Sequence, residues 1–306
     1  MIKRYLPLLS GLGYSTIFGF SFMFTKNVLA FIKPFHLLAF RFAIAAIFLT
    51  LLWLTGVIKL NYKNKNIKIL LLLSMTQPVL YFIFETIGIN NTTSSEAGLM
   101  ISLIPVAVTI LAVIFLNEKP SKIQLMFIIF SVIGVLFIIL MRGAINVKSN
   151  HLGMVLLGGA VLSAAFYNVL SRKSSMSFNP LEITFIMMWS GAIVFNFIVI
   201  ISFDSNILGY ISPLFNLKIL IPVTYLGVLS SVLAYFLLNF TLSRIQSFQT
   251  AVFTNLITVI SIIAGVVFRN EPFYWFQVVG AVMIIIGVWG TNYFGELERP
   301  LEEITS

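Results

Sequence analysis

Ten stretches of this 306-residue chain stay apolar for long enough to cross a bilayer. Crossing takes roughly 20 helical residues, because the hydrocarbon core is about 30 Å thick. The spans cover 6–25, 35–55, 67–88, 95–116, 123–141, 152–170, 181–203, 219–240, 248–268 and 273–294. Polar residues gather in short connections: Asn61-Tyr62-Lys63-Asn64-Lys65, Asn117-Glu118-Lys119-Pro120 and Arg172-Lys173-Ser174-Ser175. None of these is long enough to fold as a soluble domain. The opening Lys3-Arg4 followed by an apolar run imitates a secretion signal. No small-residue cleavage site leads into a polar mature domain, so the run reads as a retained first span.

Composition supports the pattern. Hydrophobic residues make up 59%, charged residues 9%, and mean hydropathy is +1.03. A soluble domain carries about 25% charged residues, so lipid is the main solvent of this chain. That excludes a cytosolic enzyme, a disordered chain and a disulfide-rich secreted domain. Of ten acids, Glu296, Glu298, Glu302 and Glu303 lie in the tail 295–306, leaving Glu85, Glu96, Glu118, Glu182, Asp204 and Glu271. With no cysteine there is no disulfide, thiolate metal site or cysteine nucleophile. The net charge of +9 is explained by basic connections on one membrane side rather than by nucleic acid. With a cytoplasmic N-terminus, 12 of the 19 Lys and Arg face inward and 7 outward, as the positive-inside rule asks. Both termini are then cytoplasmic and the tail 295–306 lies inside.

The chain also resembles itself at a shift of 153: Asn117-Glu118 recurs as Asn270-Glu271, Gln124 as Gln277, Gly134-Val135 as Gly287-Val288 and Leu103-Ile104 as Leu256-Ile257. Pro34 has its counterpart in Pro180. The first repeat is 6–141 and the second 152–294. Each holds five spans, an odd number, so the second enters the membrane inverted. The fold expected is all-α and integral to the membrane, ten transmembrane helices in two inverted five-helix repeats. Secondary transporters share this architecture, with the substrate near the midplane between the halves.

Particular residues carry a family likeness. They are Phe40-Arg41-Phe42 in the second span, the junction Gly88-Ile89-Asn90-Asn91-Thr92-Thr93-Ser94-Ser95-Glu96-Ala97, Pro105, and the closing Phe115-Leu116-Asn117-Glu118. This unit resembles the EamA unit of the drug/metabolite transporter (DMT) superfamily, and Val267-Phe268-Arg269-Asn270-Glu271-Pro272 closes a second copy. The resemblance covers about residues 6 to 294. It implies a ten-helix transporter of the bacterial plasma membrane, often an exporter of amino acids or other small metabolites. The chain departs from the usual pattern at Glu85, where many relatives would have an amide or an apolar residue, which weakens a generic drug-export reading.

A polar residue deep in a span must face another helix or a water-filled cavity. In the third span Gln77, Tyr81 and Glu85 follow at i, i+4 and i+8, with Pro78 loosening the backbone beside them. In the eighth, Ser231, Tyr235 and Asn239 do the same, so a shift of 154 makes one polar stripe twice. These stripes line a cavity or glue helices together. Ser95, Gly98, Ser102, Pro105 and Thr109 mark the fourth span; Thr250, Thr254, Thr258 and Ser261 mark the ninth. Their hydroxyls can coordinate a substrate or let helices approach closely. Pro105 interrupts its helix near mid-span. Ser21, Lys26 and Asn27 in the first span, Tyr167 and Asn168 in the sixth and Trp189 and Ser190 in the seventh complete the polar set. Trp189 either offers a face to an aromatic substrate or fills a gap. The substrate-binding candidates are therefore Gln77, Tyr81, Glu85, Ser102, Trp189, Ser231, Tyr235, Asn239 and Thr254. Glu85 and Arg41 should reach similar depth on antiparallel spans and form an ion pair, either permanent or opening when substrate or proton arrives. Glu118 and Glu271 read as helix-end contacts, and Lys63-Asn64-Lys65 as a solvated basic loop.

Other classes fit less well. An aspartyl protease needs two aspartates, and the chain has Asp204 alone. His-Glu-x-x-His is absent, as is a P-loop, and His36 and His151 lie at outer span ends with no metal set. No channel filter is visible. A nucleotide-sugar-type carrier would want clustered cations within the spans, where Arg41 and Lys26 are all that is offered. The reading is a secondary transporter, not an enzyme, with no cofactor. It moves small organic metabolites by alternating access, amino acids including aromatic ones first and drugs or other amphipathic solutes next. Its partners are a small-molecule substrate and the lipid bilayer, with no nucleic acid. Monomer and homodimer stay open.

Overall fold

The protein is described by a computed structural model covering residues 2–91, 100–141, 151–202, 207–270 and 272–297. Its described regular structure is helical throughout. Numbered in chain order, span one is Ile2–Leu29 and span two Pro34–Leu54. Span three joins Lys68–Ser74, Met75–Leu80 and Tyr81–Asn90 end to end. Span four is described over Ile104–Leu116, and its expected start, with Ser95 and Gly98, lies outside the described residues. Spans five, six and seven are Lys122–Met141, His151–Ser174 and Pro180–Ser202. Two short helices, Ile207–Ile211 and Ser212–Phe215, lead into span eight: Leu217–Thr224, Tyr225–Leu233 and Ala234–Arg244. Span nine is Ser247–Val252 then Thr254–Arg269, and span ten is Trp275–Leu297. Nine of these are long and apolar enough to cross a membrane, and Ile104–Leu116 is a shorter apolar helix. In lipid every backbone N–H and C=O must find a partner within the protein, which a helix supplies along its own length. The protein is a ten-helix, multi-pass membrane protein. Asp204, Arg142, Lys148, Glu96, Glu271, Glu298, Arg299, Glu302 and Glu303 lie outside the described residues.

The residues that mark the repeat have local physical reasons. Asn117 and Asn270 end spans four and nine with φ of 56° and 52°, the left-handed conformation that closes a helix. Asparagine tolerates that region better than any branched residue. Gln124 and Gln277 each accept a hydrogen bond at 2.9 Å from a backbone N–H three residues earlier, Ser121 and Tyr274. Both thereby satisfy an orphan donor at the start of spans five and ten. Pro34 opens span two and Pro180 opens span seven. Proline suits a first helical turn, where its missing N–H costs nothing.

Packing follows the same symmetry. Span two lies against span seven and span five against span ten. Span six meets spans three and four, and span one meets spans eight and nine, which is the equivalent pair of contacts in the other half. Spans five and ten touch backbone to backbone. A Cβ on Gly134 would stand 2.8 Å from the Gly280 carbonyl oxygen, and one on Gly287 would stand 2.7 Å from that of Phe127. Aromatic side chains fill the centre: Tyr14, Phe42, Tyr167, Phe195 and Tyr235 are fully buried. The outer faces are apolar too, with Leu51, Val155, Ile193, Ile201 and Trp289 turned outward.

Two carboxylates lace one end of the bundle. Glu118, after span four, accepts from Arg172 Nε at 2.9 Å and from the Ser247 N–H at 2.7 Å, so it ties spans four, six and nine together. Arg172 also donates to the Leu242 carbonyl at 3.0 Å. Glu182, at the start of span seven, accepts from Lys65 Nζ at 2.7 Å and from the N–H groups of Asn61 and Asn179 at 2.8 and 3.0 Å. Lys65 is therefore not a solvated charge: it pins the connection between spans two and three, while Lys63 stays exposed. The Tyr62 hydroxyl donates to the Glu182 carbonyl at 3.0 Å. Burial, and then the Glu182 carboxylate, push its phenol well above the usual range, so it remains a donor.

Candidate functional site

The polar residues at the centre are delivered by two helices that both lose α geometry at equivalent places. In span three, Met75–Leu80 is a π turn, with Gln77 extended at φ −150° and ψ 124°. Pro78 next to it has no N–H to give to the helical ladder. In span eight, Tyr225–Leu233 is π throughout, and it covers residues 229–233, the equivalents of 75–79 at the shift of 154. Single π turns are frequent at functional sites because the wider turn re-aims side chains.

The break at Gln77 takes that residue out of the i, i+4 series expected of it. Its side chain crosses to the other repeat, and Nε2 donates to the Tyr235 hydroxyl at 2.7 Å. Tyr235 is fully buried, edge-on to Phe18 at 5.3 Å and to Tyr167 at 6.2 Å. Tyr81 and Glu85 keep the helical spacing: the Tyr81 hydroxyl donates to Glu85 Oε1 at 2.9 Å. Both are only partly covered by protein.

Arg41 is buried in span two, 7% exposed. Its Nε donates to Ser231 Oγ at 2.7 Å and its Nη2 to Ser230 Oγ at 3.0 Å. The guanidinium carbon stands 5.1 Å from the Phe82 ring centre and 5.6 Å from that of Phe42. Consecutive residues of an α-helix point about 100° apart, and the wider π turn is where Ser230 and Ser231 both meet one guanidinium. The expected ion pair with Glu85 is not formed. Tyr81, one turn away on the same helix, occupies Glu85, and the serine doublet occupies Arg41. A charge at that depth costs on the order of 3 kcal/mol on insertion scales, and two hydroxyls with two aromatic faces are what offset it.

Other candidates stand elsewhere. Asn239 is wholly buried and saturated: Oδ1 accepts from Tyr167 and Ser171 at 2.8 and 2.6 Å, and Nδ2 donates to Thr184 Oγ1 at 3.0 Å. It knots spans six, seven and eight. Trp189 is 37% exposed on the outer face, its Nε1 donating to Thr50 Oγ1 of span two at 3.0 Å. That is a lipid-facing position, so its side chain does not reach the centre. Thr254 donates to the Ala251 carbonyl at 2.6 Å, across the break at Phe253, and Ser15 of span one donates to the carbonyl of Phe253 at 2.8 Å. Ser102 is buried where span four begins its described turn before Ile104. Thr109 donates to the Pro105 carbonyl at 2.7 Å, within its own helix. The centre thus gathers Arg41, Gln77, Ser230, Ser231 and Tyr235 from both repeats, with Tyr81 and Glu85 a turn further along span three. Ser230 was missed by the stripe reading, although the Ser230-Ser231 doublet is visible in the chain. Helical spacing admits one of two adjacent residues to a face, and only the π turn admits both.

At the end opposite the carboxylate clips, a cleft of about 590 Å³ opens between spans one and eight, lined by Lys26, Asn27, Lys218 and Pro222 among others.

Residues 6–140 and 151–293 each match the EamA-like transporter family. The chain is 39% identical over 282 residues to the uncharacterized transporter YcxC of Bacillus subtilis (strain 168), covering 91% of this chain and 90% of that protein. It is 29% identical to the uncharacterized transporter YyaM of the same organism, covering 90% of each. An uncharacterized transporter of Archaeoglobus fulgidus is 25% identical over 90% of this chain and 94% of its own length. A solved crystal structure superposes with a TM-score of 0.75 at 14% identity, over 96% of this chain and 99% of that one, which places the fold.

Proposed function

Because the chain belongs to the EamA-like transporter family, we propose that it is a secondary transporter exporting small organic metabolites, amino acids including aromatic ones first among them. It works by alternating access and catalyses no reaction. It sits in the bacterial plasma membrane with both termini cytoplasmic. The observation that carries this reading is the pair of broken helices meeting at one polar cluster. Gln77 of the first repeat bonds Tyr235 of the second at 2.7 Å, and Arg41 bonds Ser231 at 2.7 Å. Interrupted helices between two repeats are where transporters place substrates, and bonds across the repeats are what a rocking motion must exchange.

The test is uptake of labelled amino acids into proteoliposomes, with and without an imposed pH gradient. Uptake should exceed that of protein-free vesicles for at least one apolar or aromatic amino acid. Tyr235→Phe removes only the hydroxyl that Gln77 holds. It should cost about 1–2 kcal/mol of stability and slow uptake at least about tenfold while the protein still elutes as a folded species. Normal uptake by Tyr235→Phe would reduce the Gln77–Tyr235 contact to packing. No uptake of any amino acid by the unaltered protein would overturn the amino-acid reading.

A further inference from the structure

Burial, charge and bonding single out Arg41. Among the lysines and arginines whose side chains are described it is the one that is buried, at 7% exposure. Its two bonded nitrogens, Nε and Nη2, reach only neutral serine hydroxyls. Nη1 makes no hydrogen bond, and no ion pair joins the guanidinium to Glu85. Serine can satisfy N–H geometry but cannot neutralise a charge. The phenyl rings of Phe42 and Phe82 attract the cation. Each serine oxygen accepts from Arg41 and so keeps its own hydroxyl proton to donate.

We propose that Arg41 is the anchor for a carboxylate on the cargo, received at Nη1 while Ser230 and Ser231 hold the opposite edge of the guanidinium. The proposal rests on the transporter reading of the same site and narrows its cargo to solutes bearing a single carboxylate. One guanidinium matches one negative charge, and Nη1 has an N–H to donate to a carboxylate oxygen as a charge-assisted bond. A phosphate dianion would ask for further cations, which the other described spans do not bring to full burial here. The serine doublet keeps the guanidinium oriented when the cargo has left, so the anchor is preformed rather than assembled on binding. The π turn of span eight, Tyr225–Leu233, makes that possible.

The experiment uses the full-length protein and four probes: L-phenylalanine, L-phenylalaninamide, 3-phenylpropanoate and 3-phenylpropanamide. Binding is read by thermal shift in detergent and uptake in proteoliposomes. The two carboxylates should bind at least about tenfold more tightly than their amides, the loss expected for one charge-assisted hydrogen bond. Arg41→Gln should abolish that preference. Arg41→Lys, which keeps the charge without the serine-held guanidinium, should retain the preference at reduced affinity and decides the case if Arg41→Gln does not fold. Equal binding of acids and amides by the unaltered protein overturns the anchor, as does binding of none of the four. So does a folded Arg41→Gln protein that still prefers acids, or an Arg41→Lys protein with unaltered affinity. Uptake without a preference for acids leaves the transporter reading standing alone. Acid-selective binding without uptake of any solute would uphold the anchor and overturn the transporter.

Discussion

Glu85 shows what a residue's neighbours add to its chemistry. The chain places an acid and an arginine at comparable depth on adjacent antiparallel spans, and pairing is the economical expectation. The structure gives each its own neutral partners instead: Tyr81 for Glu85, and Ser230 and Ser231 for Arg41. That settles which double mutant is informative. Glu85→Gln keeps the size of the side chain and an oxygen for the Tyr81 hydroxyl. It should fold with a change of within about 1 kcal/mol, measured by thermal unfolding in detergent. If the carboxyl exchanges protons during transport, the same protein should lose its response to an imposed pH gradient, and adding Arg41→Gln should not restore it. A Glu85→Gln protein with full pH-gradient dependence would remove Glu85 from coupling. Among the candidate residues, Tyr81 and Glu85 keep the helical spacing that the chain suggests, while Gln77 reaches the centre only through the break in its helix. Trp189 could not be placed from the chain, because residue type carries no sign of whether a mid-span tryptophan faces inward or outward. Asn239 was misplaced for a different reason: its saturation depends on Tyr167, Ser171 and Thr184, which come from two other spans.

Elements differ in how openly the chain announces their irregularities. Pro78 marks the break in span three. In span eight the nearest proline, Pro222, lies one turn before the π segment begins, and Tyr225–Leu233 itself reads as an ordinary apolar helix. It packs against spans one and two and meets Arg41, tertiary neighbours that local pattern does not reveal. The ends of spans four and nine are the opposite case, since Asn117 and Asn270 recur at one shift and share one left-handed conformation. Asn117 is exposed, so its backbone angle accounts for it better than any side-chain contact. Asn117→Gly should therefore leave thermal stability unchanged or raise it slightly, and Asn117→Ala should lower it by about 1 kcal/mol. The order Gly, Asn, Ala in unfolding temperature checks the assignment. Equal stability of Asn117 and Ala would mean the helix end relaxes.

At the scale of the whole molecule, ten spans and a period of 153 were legible because lipid forces long apolar runs and the repeat keeps its cap residues. What periodicity could not provide was the charge pairing at the ends. Lys65 and Glu182 are separated by more than a hundred residues and meet only because span two packs on span seven. The topology that follows has a direct test. Five spans per repeat means that equivalent connections lie on opposite sides of the membrane. Lys33, between spans one and two, and Met176, between spans six and seven, are both exposed and occupy such equivalent connections. The chain has no native cysteine, so single cysteines can be read cleanly with an impermeant maleimide in intact cells. Lys33→Cys should react from outside, and Met176→Cys only after the membrane is opened. Lys63→Cys should follow Met176→Cys, because alternation puts the connection between spans two and three at the clipped end with Glu118 and Glu182. Reaction of Lys33→Cys and Met176→Cys from the same side would break the inverted arrangement. Reaction from opposite sides in the reverse sense would keep the inversion but place both termini outside, against the distribution of Lys and Arg along the chain.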